Sequence, residues 1–148
     1  MTWKDTGRAA DLLDANRAML DRQRADVRGS VDDTTTVTGA VVVDEGAVVS
    51  GSQLVGPLVL GPGTVVRGSQ VGPYASIGAD CMLTDTSVAD SIVMAGSRLS
   101  GGRLSGCLLG REVDVALAPG RDAFRLVLGD HSSVATGVAT GVAAEAPR

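Results

Sequence analysis

Aliphatic residues recur with a period of seventeen along the middle of the chain. In rows of seventeen residues that start at residue 43, three columns stay aliphatic: Val43, Leu60 and Ile77; Val49, Val66 and Leu83; Leu54, Val71 and Val88. Val31 and Val37 extend the pattern upstream to about residue 27, whereas we expect the row from residue 94 to keep Met94 and Leu99 in their columns and to slip by about one residue at Leu104. A constant repeat of this length indicates one structural unit stacked on itself.

The length of the blocks within each row indicates what this unit is. Each row divides into blocks of six, five and six residues. Such blocks are too short for a helix with its loops, but they suit a short strand closed by a tight corner, so three blocks form one triangular coil. The aliphatic residue of each block points inward, and so does the residue two places before it, where a corner leaves little room. That position holds small residues, namely Thr64, Ala75 and Cys81.

The corners are rich in glycine and proline, which suit tight turns. Examples are Gly56-Pro57, Gly61-Pro62 and Gly72-Pro73. The pattern therefore predicts an all-β fold, a single-stranded parallel β-helix of about five coils over residues 26–131. A β-sandwich of short strands is the competing architecture, but a sandwich gives no reason for a constant repeat.

The segments that flank the repeat differ from it. Residues 8–25 contain neither Gly nor Pro and place Leu12, Ala15 and Met19 on one helical face, with Thr6 and Gly7 at the position of a cap. We expect this helix, within an N-terminal unit of residues 1–25, to cover the open edges of the first coil. Residues 132–148 lack a core pattern and are predicted to form a disordered tail.

Composition and charge narrow the class of protein. Hydrophobic residues make up 44% of the chain but aromatic residues only 2%, which suits a narrow, regular core. The net charge of −4 argues against a nucleic-acid partner, and no apolar stretch reaches the length of a membrane span. The N-terminus does not have the pattern of a signal peptide, so we expect a cytoplasmic protein. The two cysteines form no CxxC motif and fit reduced, buried thiols.

Residues 2–21, TWKDTGRAADLLDANRAMLD, resemble the segment that closes the catalytic domain of long-form glucose-1-phosphate thymidylyltransferases, which are sugar-1-phosphate nucleotidylyltransferases of deoxysugar pathways. Residues 54–99 and the RLVLGD stretch at residues 125–130 resemble the C-terminal region of that family. The resemblance implies a β-helix with hexapeptide repeats that winds left-handed, a property that spacing does not determine. It also implies that the nucleotide-binding catalytic domain is absent, since neither its glycine-rich loop nor its Rossmann-like sheet is found.

By the same resemblance, Asp5 matches the second of two aspartates that hold the Mg²⁺ of the full-length family. A single carboxylate is too few to complete the octahedral shell of Mg²⁺, so we expect no cofactor for this chain alone. The alternative is that Asp5 and Thr6 simply begin the helix. No catalytic and no cofactor-binding residue is predicted within the chain.

Other residues have both a structural and a chemical interpretation. Gly61-Pro62-Gly63 could be a phosphate loop, but it lacks a following helix and a lysine, which favours a β-helix corner. Cys81 suits a core position better than a nucleophile, and Cys107 lies in the slipped row where its direction is not predicted. His131, the only histidine, follows the last strand and suits an exposed turn. An anion site or a solvated surface would account for four arginines: Arg98, Arg103, Arg111 and Arg121.

Two hypotheses of different classes follow. The favoured one is a non-catalytic module of a thymidylyltransferase-like protein, which forms homo-oligomers through the faces of the β-helix, acts in structure or regulation, and docks a separate nucleotidyltransferase domain through the N-terminal helix. The alternative is a hexapeptide-repeat acyltransferase that uses acetyl-CoA, with His131 as general base. Catalysis of thymidylyl transfer by the chain alone has almost no support in the sequence.

Overall fold

The structure is a computed structural model that describes residues 2–136, with side chains described for residues 7–136. A single helix, α1 (Thr2–Leu20), precedes the strands. The first ten strands are β1 (Asp26–Val27), β2 (Ser30–Val31), β3 (Thr36–Thr38), β4 (Val41–Val43), β5 (Val48–Ser50), β6 (Gln53–Val55), β7 (Leu58–Leu60), β8 (Val65–Arg67), β9 (Gln70–Val71) and β10 (Ala75–Ile77). The second ten are β11 (Met82–Thr84), β12 (Ser87–Ala89), β13 (Ser91–Val93), β14 (Arg98–Ser100), β15 (Arg103–Ser105), β16 (Leu108–Leu109), β17 (Asp114–Ala116), β18 (Ala123–Phe124), β19 (Val127–Leu128) and β20 (Ser133–Ala135).

Every strand pairs in parallel with the strands three places before and after it, which builds three sheets around one interior. Sheet A has the order β1-β4-β7-β10-β13-β16-β19, sheet B has β2-β5-β8-β11-β14-β17-β20, and sheet C has β3-β6-β9-β12-β15-β18. The chain is thus an all-parallel β-solenoid of about six turns with one N-terminal helix. This confirms the predicted β-helix with one more turn than expected.

The aliphatic columns of the sequence form the core of this prism. Leu60 lies between Val43 and Ile77 in sheet A, and Val71 lies between Leu54 and Val88 in sheet C. All of these anchor residues have at most 2% of their surface exposed. The period of seventeen therefore corresponds to one full turn of the solenoid, because it is the register between stacked strands.

The slip in the fourth row begins two corners earlier than predicted, between Val88 and Val93, so Met94 is not in its expected column and Leu99 pairs with Leu83 sixteen residues earlier, not seventeen. Ile77 pairs with Val93, sixteen residues on, and Met94 points outward with 44% of its surface exposed. The corners that carry Gly56-Pro57 and Gly72-Pro73 separate consecutive anchors by six residues, whereas the corner from Val88 to Val93 has no proline and separates them by five. The later turn is shorter because this corner is shorter.

Backbone N–H groups near the corners donate hydrogen bonds to small side chains of the preceding coil. Between sheets B and C, the Ser52 hydroxyl accepts a bond of 3.1 Å from the Ser69 N–H, and the Ser69 hydroxyl accepts one of 3.2 Å from the Thr86 N–H. All three residues are buried. The small inward positions are therefore polar as well as narrow, since each hydroxyl satisfies a donor that strand pairing leaves free.

Helix α1 differs from its prediction in extent and in place. It begins at Thr2 and ends at Leu20, so Thr6 and Gly7 lie within it and do not cap it. It packs against the outer side of sheet A, near β13, and not on the first coil. The outward residues of sheet A are largely aliphatic, among them Val42, Val59 and Ile92, so this sheet gives an amphipathic helix more apolar surface than a coil edge would.

The β-helix begins with β1 at Asp26 and extends past residue 131. Ser133–Ala135 form β20, which pairs with β17, where we had expected the tail to be disordered. Val134 repeats the inward position of Val115 and continues the stack of sheet B. Residues 137–148, the rest of the predicted tail, lie outside the described residues.

Candidate functional site

The predicted metal ligand, Asp5, lies in α1, and its side chain is outside the described residues. Across the part of the chain whose side chains are described, no three or more His, Cys, Asp or Glu residues cluster closely enough to hold a metal ion. Nor does the described part contain a helix long and apolar enough to cross a membrane.

Both cysteines occupy the small inward position of their blocks. Cys81 and Cys107 are buried free thiols, and burial raises the pKa of each above its usual range. The Cys81 thiol donates to the Met94 carbonyl at 3.3 Å, and the Cys107 thiol donates to the Phe124 carbonyl at 3.3 Å. A neutral, buried thiol is a poor nucleophile, so the geometry assigns both cysteines to the core, including Cys107, whose direction the sequence left open.

His131 lies at a corner between sheets A and B. Its φ of 64° places it in the left-handed region, which the same corner of earlier coils fills with Gly63, Asp80, Gly96 and Glu112. Its Nδ1 lies 3.1 Å from the Glu112 Oε1, and its side chain is 70% exposed. This is the exposed turn that the sequence favoured, and the histidine pairs with the residue stacked beneath it.

The other candidates are dispersed over the prism. Gly61-Pro62-Gly63 forms the corner between β7 and β8, as predicted. The outer face of sheet B carries Arg98 and that of sheet C carries Arg103, whereas Arg111 lies at a corner and Arg121 in a loop. Because Arg98 and Arg103 project from different sheets, the four arginines do not form one anion site.

Polar side chains fix α1 against sheet A. The Tyr74 hydroxyl donates to Asp21 Oδ1 at 2.7 Å, and this bond raises the pKa of the tyrosine. The Arg17 guanidinium lies 4.1 Å from the centroid of the Tyr74 ring and pairs with Asp90. A cation over an aromatic face, combined with a hydrogen bond and an ion pair, gives the helix a defined position that apolar contact alone would not.

The buried side of α1 also carries a polar residue, Asn16, with 5% of its surface exposed. Its Oδ1 accepts a bond of 2.5 Å from the Ser76 hydroxyl, while its Nδ2 has no partner among the described residues. Sequence analysis did not identify Asn16, Tyr74 or Ser76 as functional. An amide among the apolar positions of a helix, and the only tyrosine of the chain, were the available signals.

Helix α1 has a second apolar stripe that is exposed to solvent. The residues that pack on sheet A are Ala9, Leu20 and, between them, Asn16. Leu12, Ala15 and Met19, which we expected to face the core, are exposed, Leu12 by 43% and Met19 by 57%. A helix with apolar residues on two sides buries one side within this chain and leaves the other available for a partner.

A polar groove of about 420 Å³ runs along the corner between sheets B and C. Its side chains include Gln53, Gln70, Asp85 and Arg103, and Pro119-Gly120 forms one wall. The wall belongs to a nine-residue spacing from Val115 to Phe124, where the four preceding coils have five residues at this corner. That interruption of the repeat was the sequence signal for the groove, which offers amide, carboxylate and guanidinium groups to a polar ligand.

Comparison with known proteins identifies relatives over most of the chain. A glucose-1-phosphate thymidylyltransferase of Streptomyces antibioticus is 42% identical over 136 residues, which are 89% of this chain and 38% of that protein. The enzyme of the same name from Streptomyces griseus is 46% identical over 132 residues, 88% of this chain and 37% of that protein. A low-salt glycan biosynthesis nucleotidyltransferase of Haloferax volcanii is 40% identical over 137 residues, with shares of 89% and 38%. The chain thus spans less than two fifths of the length of these relatives, and no protein-family model matches it.

Proposed function

We propose, from the homology of this chain to the C-terminal part of glucose-1-phosphate thymidylyltransferases, that it serves as the β-helix module of such a protein in dTDP-sugar biosynthesis. In this proposal the module supports and assembles a nucleotidyltransferase domain and performs no catalysis alone. The matched region, the solenoid and the absence of a metal cluster within the described residues all support it.

The exposed stripe of α1 is the observation that carries this proposal. Leu12 and Met19 lie on a helix whose other side is fixed to sheet A by the Tyr74 cluster, so the stripe is held rigidly on the outside of the prism. A rigid apolar stripe loses little conformational entropy on binding and suits a folded domain as partner. The nucleotidyltransferase portion that makes up the rest of the relatives is that partner in our proposal.

Mg²⁺ would belong to the combined protein and not to this module. Asp5 would supply one carboxylate from α1, and the nucleotidyltransferase portion would supply the remaining protein ligands, because the residues with described side chains contain no cluster of three or more metal-binding groups. We also infer a cytoplasmic location, since the two cysteines remain free thiols in the interior.

A chimera tests the proposal. This chain would replace the matched C-terminal region of the Streptomyces antibioticus enzyme, and pyrophosphate release from dTTP and glucose 1-phosphate would be measured with Mg²⁺. We expect an active chimera, and we expect Met19→Glu to reduce the activity at least tenfold by placing a charge in the domain contact. Ala18→Glu is the matched control, since Ala18 is exposed beside the stripe, and it should leave activity unchanged.

The same preparation separates the alternatives. An inactive chimera that is folded, or a Met19→Glu variant as active as the parent, would refute docking through α1. Thiol release from acetyl-CoA in the presence of amino-sugar acceptors, lost in His131→Ala, would establish the acyltransferase instead. Pyrophosphate release by the chain alone would refute its non-catalytic role.

A further inference from the structure

The three outer faces of the prism differ in what covers them. Helix α1 lies on sheet A, and the groove with its Pro119-Gly120 wall occupies the corner beside sheet C. Sheet B carries neither a helix nor a projecting loop among the described residues. We propose that two copies of this chain associate through sheet B, side by side with their prism axes parallel, about a two-fold axis along the prism. The proposal deepens the assembly role proposed above and rests on it.

The outer face of sheet B has two rows of side chains with different sizes. In each three-residue strand the middle residue points inward, so the first and third residues face outward. The first row, which we call the ridge, consists of Val48, Val65, Met82, Arg98 and Asp114. The third row, which we call the trough, consists of Ser50, Arg67, Thr84, Ser100 and Ala116.

The half of the ridge nearer the N-terminus, from Val48 to Met82, is apolar and exposed to solvent. Val48 is 45% exposed and Met82 is 43% exposed, with Val65 stacked between them in register. A depression of about 280 Å³ lies beside the other half of the ridge, where the small side chains of Thr84, Ser100 and Ala116 leave space. Apolar residues in three successive coils form a contiguous patch, not scattered surface residues, and such patches mark contact sites.

Symmetry selects the orientation of the second copy. A two-fold axis along the prism reverses the strand direction and keeps each coil at its own level, so the ridge of one copy faces the trough of the other. Val48 then meets Ser50, Met82 meets Thr84, and Asp114 meets Ala116, a large residue against a small one each time. Val65 meets Arg67, whose aliphatic stem suits an apolar neighbour while its charge reaches solvent.

An antiparallel arrangement of the two prisms would be less stable than the parallel one. A two-fold axis along the strands would place ridge on ridge and bring the apolar coils of one copy against Arg98 and Asp114 of the other. Those charges would be buried without partners, which is costly. The parallel arrangement avoids this because each charge faces a small residue and the solvent beyond it.

The available area suits a reversible dimer. Seven strands at about 4.8 Å give a face roughly 34 Å tall, and one side of a seventeen-residue coil is roughly 17 Å wide. This is on the order of 600 Å² per copy and about 1,200 Å² in total, at the lower limit for specific interfaces. We therefore expect an association that depends on concentration over the micromolar range.

Analytical ultracentrifugation of the isolated chain from about 1 to 200 μM tests the proposal, with circular dichroism to verify folding. We expect a monomer–dimer equilibrium whose dissociation constant rises at least tenfold in Met82→Glu and in Val65→Glu. Gln70→Glu is the control, because Gln70 is exposed on sheet C of the same coil as Val65, and it should dimerise like the parent. A parent that stays monomeric, a trimeric mass, or a dimer insensitive to Met82→Glu would each overturn the proposal.

Cross-linking tests the orientation directly. Met82→Cys in one copy and Thr84→Cys in another should form a disulfide when mixed under mild oxidation, since the native cysteines are buried. Cross-linking of Val48→Cys to Asp114→Cys instead would establish the antiparallel arrangement and refute ours. These measurements use the chain alone, so an inactive chimera with an intact dimer would refute the docking proposal while leaving this one standing.

Discussion

Replacement of Val71 by aspartate tests the register on which the whole solenoid depends. Val71 is fully buried, with Leu54 stacked on one side and Val88 on the other. The substitution removes an apolar side chain whose burial contributes about 1.5–3 kcal/mol, and it places a carboxylate in an interior lined by aliphatic groups. An uncompensated buried charge costs about 3–5 kcal/mol in comparable cases, so we expect a loss of at least about 3 kcal/mol.

This loss is a large fraction of the total stability of a small domain, which is about 5–15 kcal/mol. Urea unfolding followed by circular dichroism should show a lower midpoint, and thermal unfolding should begin at least about 6 °C earlier, at roughly 2 °C per kcal/mol. The matched control is Gln70→Asp, one residue earlier on the same strand but facing outward, and it should change stability by less than about 0.5 kcal/mol. If Val71→Asp were as stable as the parent while Gln70→Asp unfolded, the strand would face the other way and the register would be wrong.

Two further substitutions examine the polar contacts. Ser69→Ala should lower the free energy of unfolding in urea by about 1–3 kcal/mol, because it leaves the buried Thr86 N–H without its acceptor. The control, Ser87→Ala, changes an outward-facing serine and should cost much less. Equal losses would contradict the role of the buried hydroxyls as acceptors. Tyr74→Phe should lower the melting temperature at pH 7. Because the bond to Asp21 raises the pKa of Tyr74, its stabilisation is complete below the unfolded-state pKa of about 10 and is lost as the pH rises through the folded-state value. The two proteins should therefore converge in strongly alkaline buffer, and a constant difference across the whole pH range would rule out this account.

The core of the solenoid could be predicted because its contacts follow a fixed spacing along the sequence. Stacked coils place residues that are one period apart in contact, so columns such as Val43, Leu60 and Ile77 are read directly from the chain. The burial of Cys81 followed from the alternation of inward and outward residues within a strand, because Cys81 lies two places before the inward Leu83. The extra turn was missed because the last coil carries the insertion that ends at Phe124, which obscures the period.

The position of α1 was not predictable in this way. Its two apolar stripes, marked by Leu20 and Met19, are nearly equivalent in sequence, and only the tertiary contacts distinguish them. Those contacts depend on Tyr74 and Asp90, which are more than fifty residues away along the chain from their partners Asp21 and Arg17. Side-chain periodicity within a helix specifies which faces are apolar, but it does not specify which of them packs against the sheet.

The unequal corners have a consequence for how such a chain changes in length. From Val43 to Leu109, the step from sheet A to sheet B is always six residues and the step from B to C always five, whereas the step from C to A is six in early turns and five in later ones. Both lengths keep the next strand of sheet A in register, since β13 pairs with β10 and β16 with β13. The nine-residue step from Val115 to Phe124 likewise leaves β18 paired with β15. Corners of this kind absorb changes in length, so insertions and deletions should accumulate at the edges of the molecule and not within its strands.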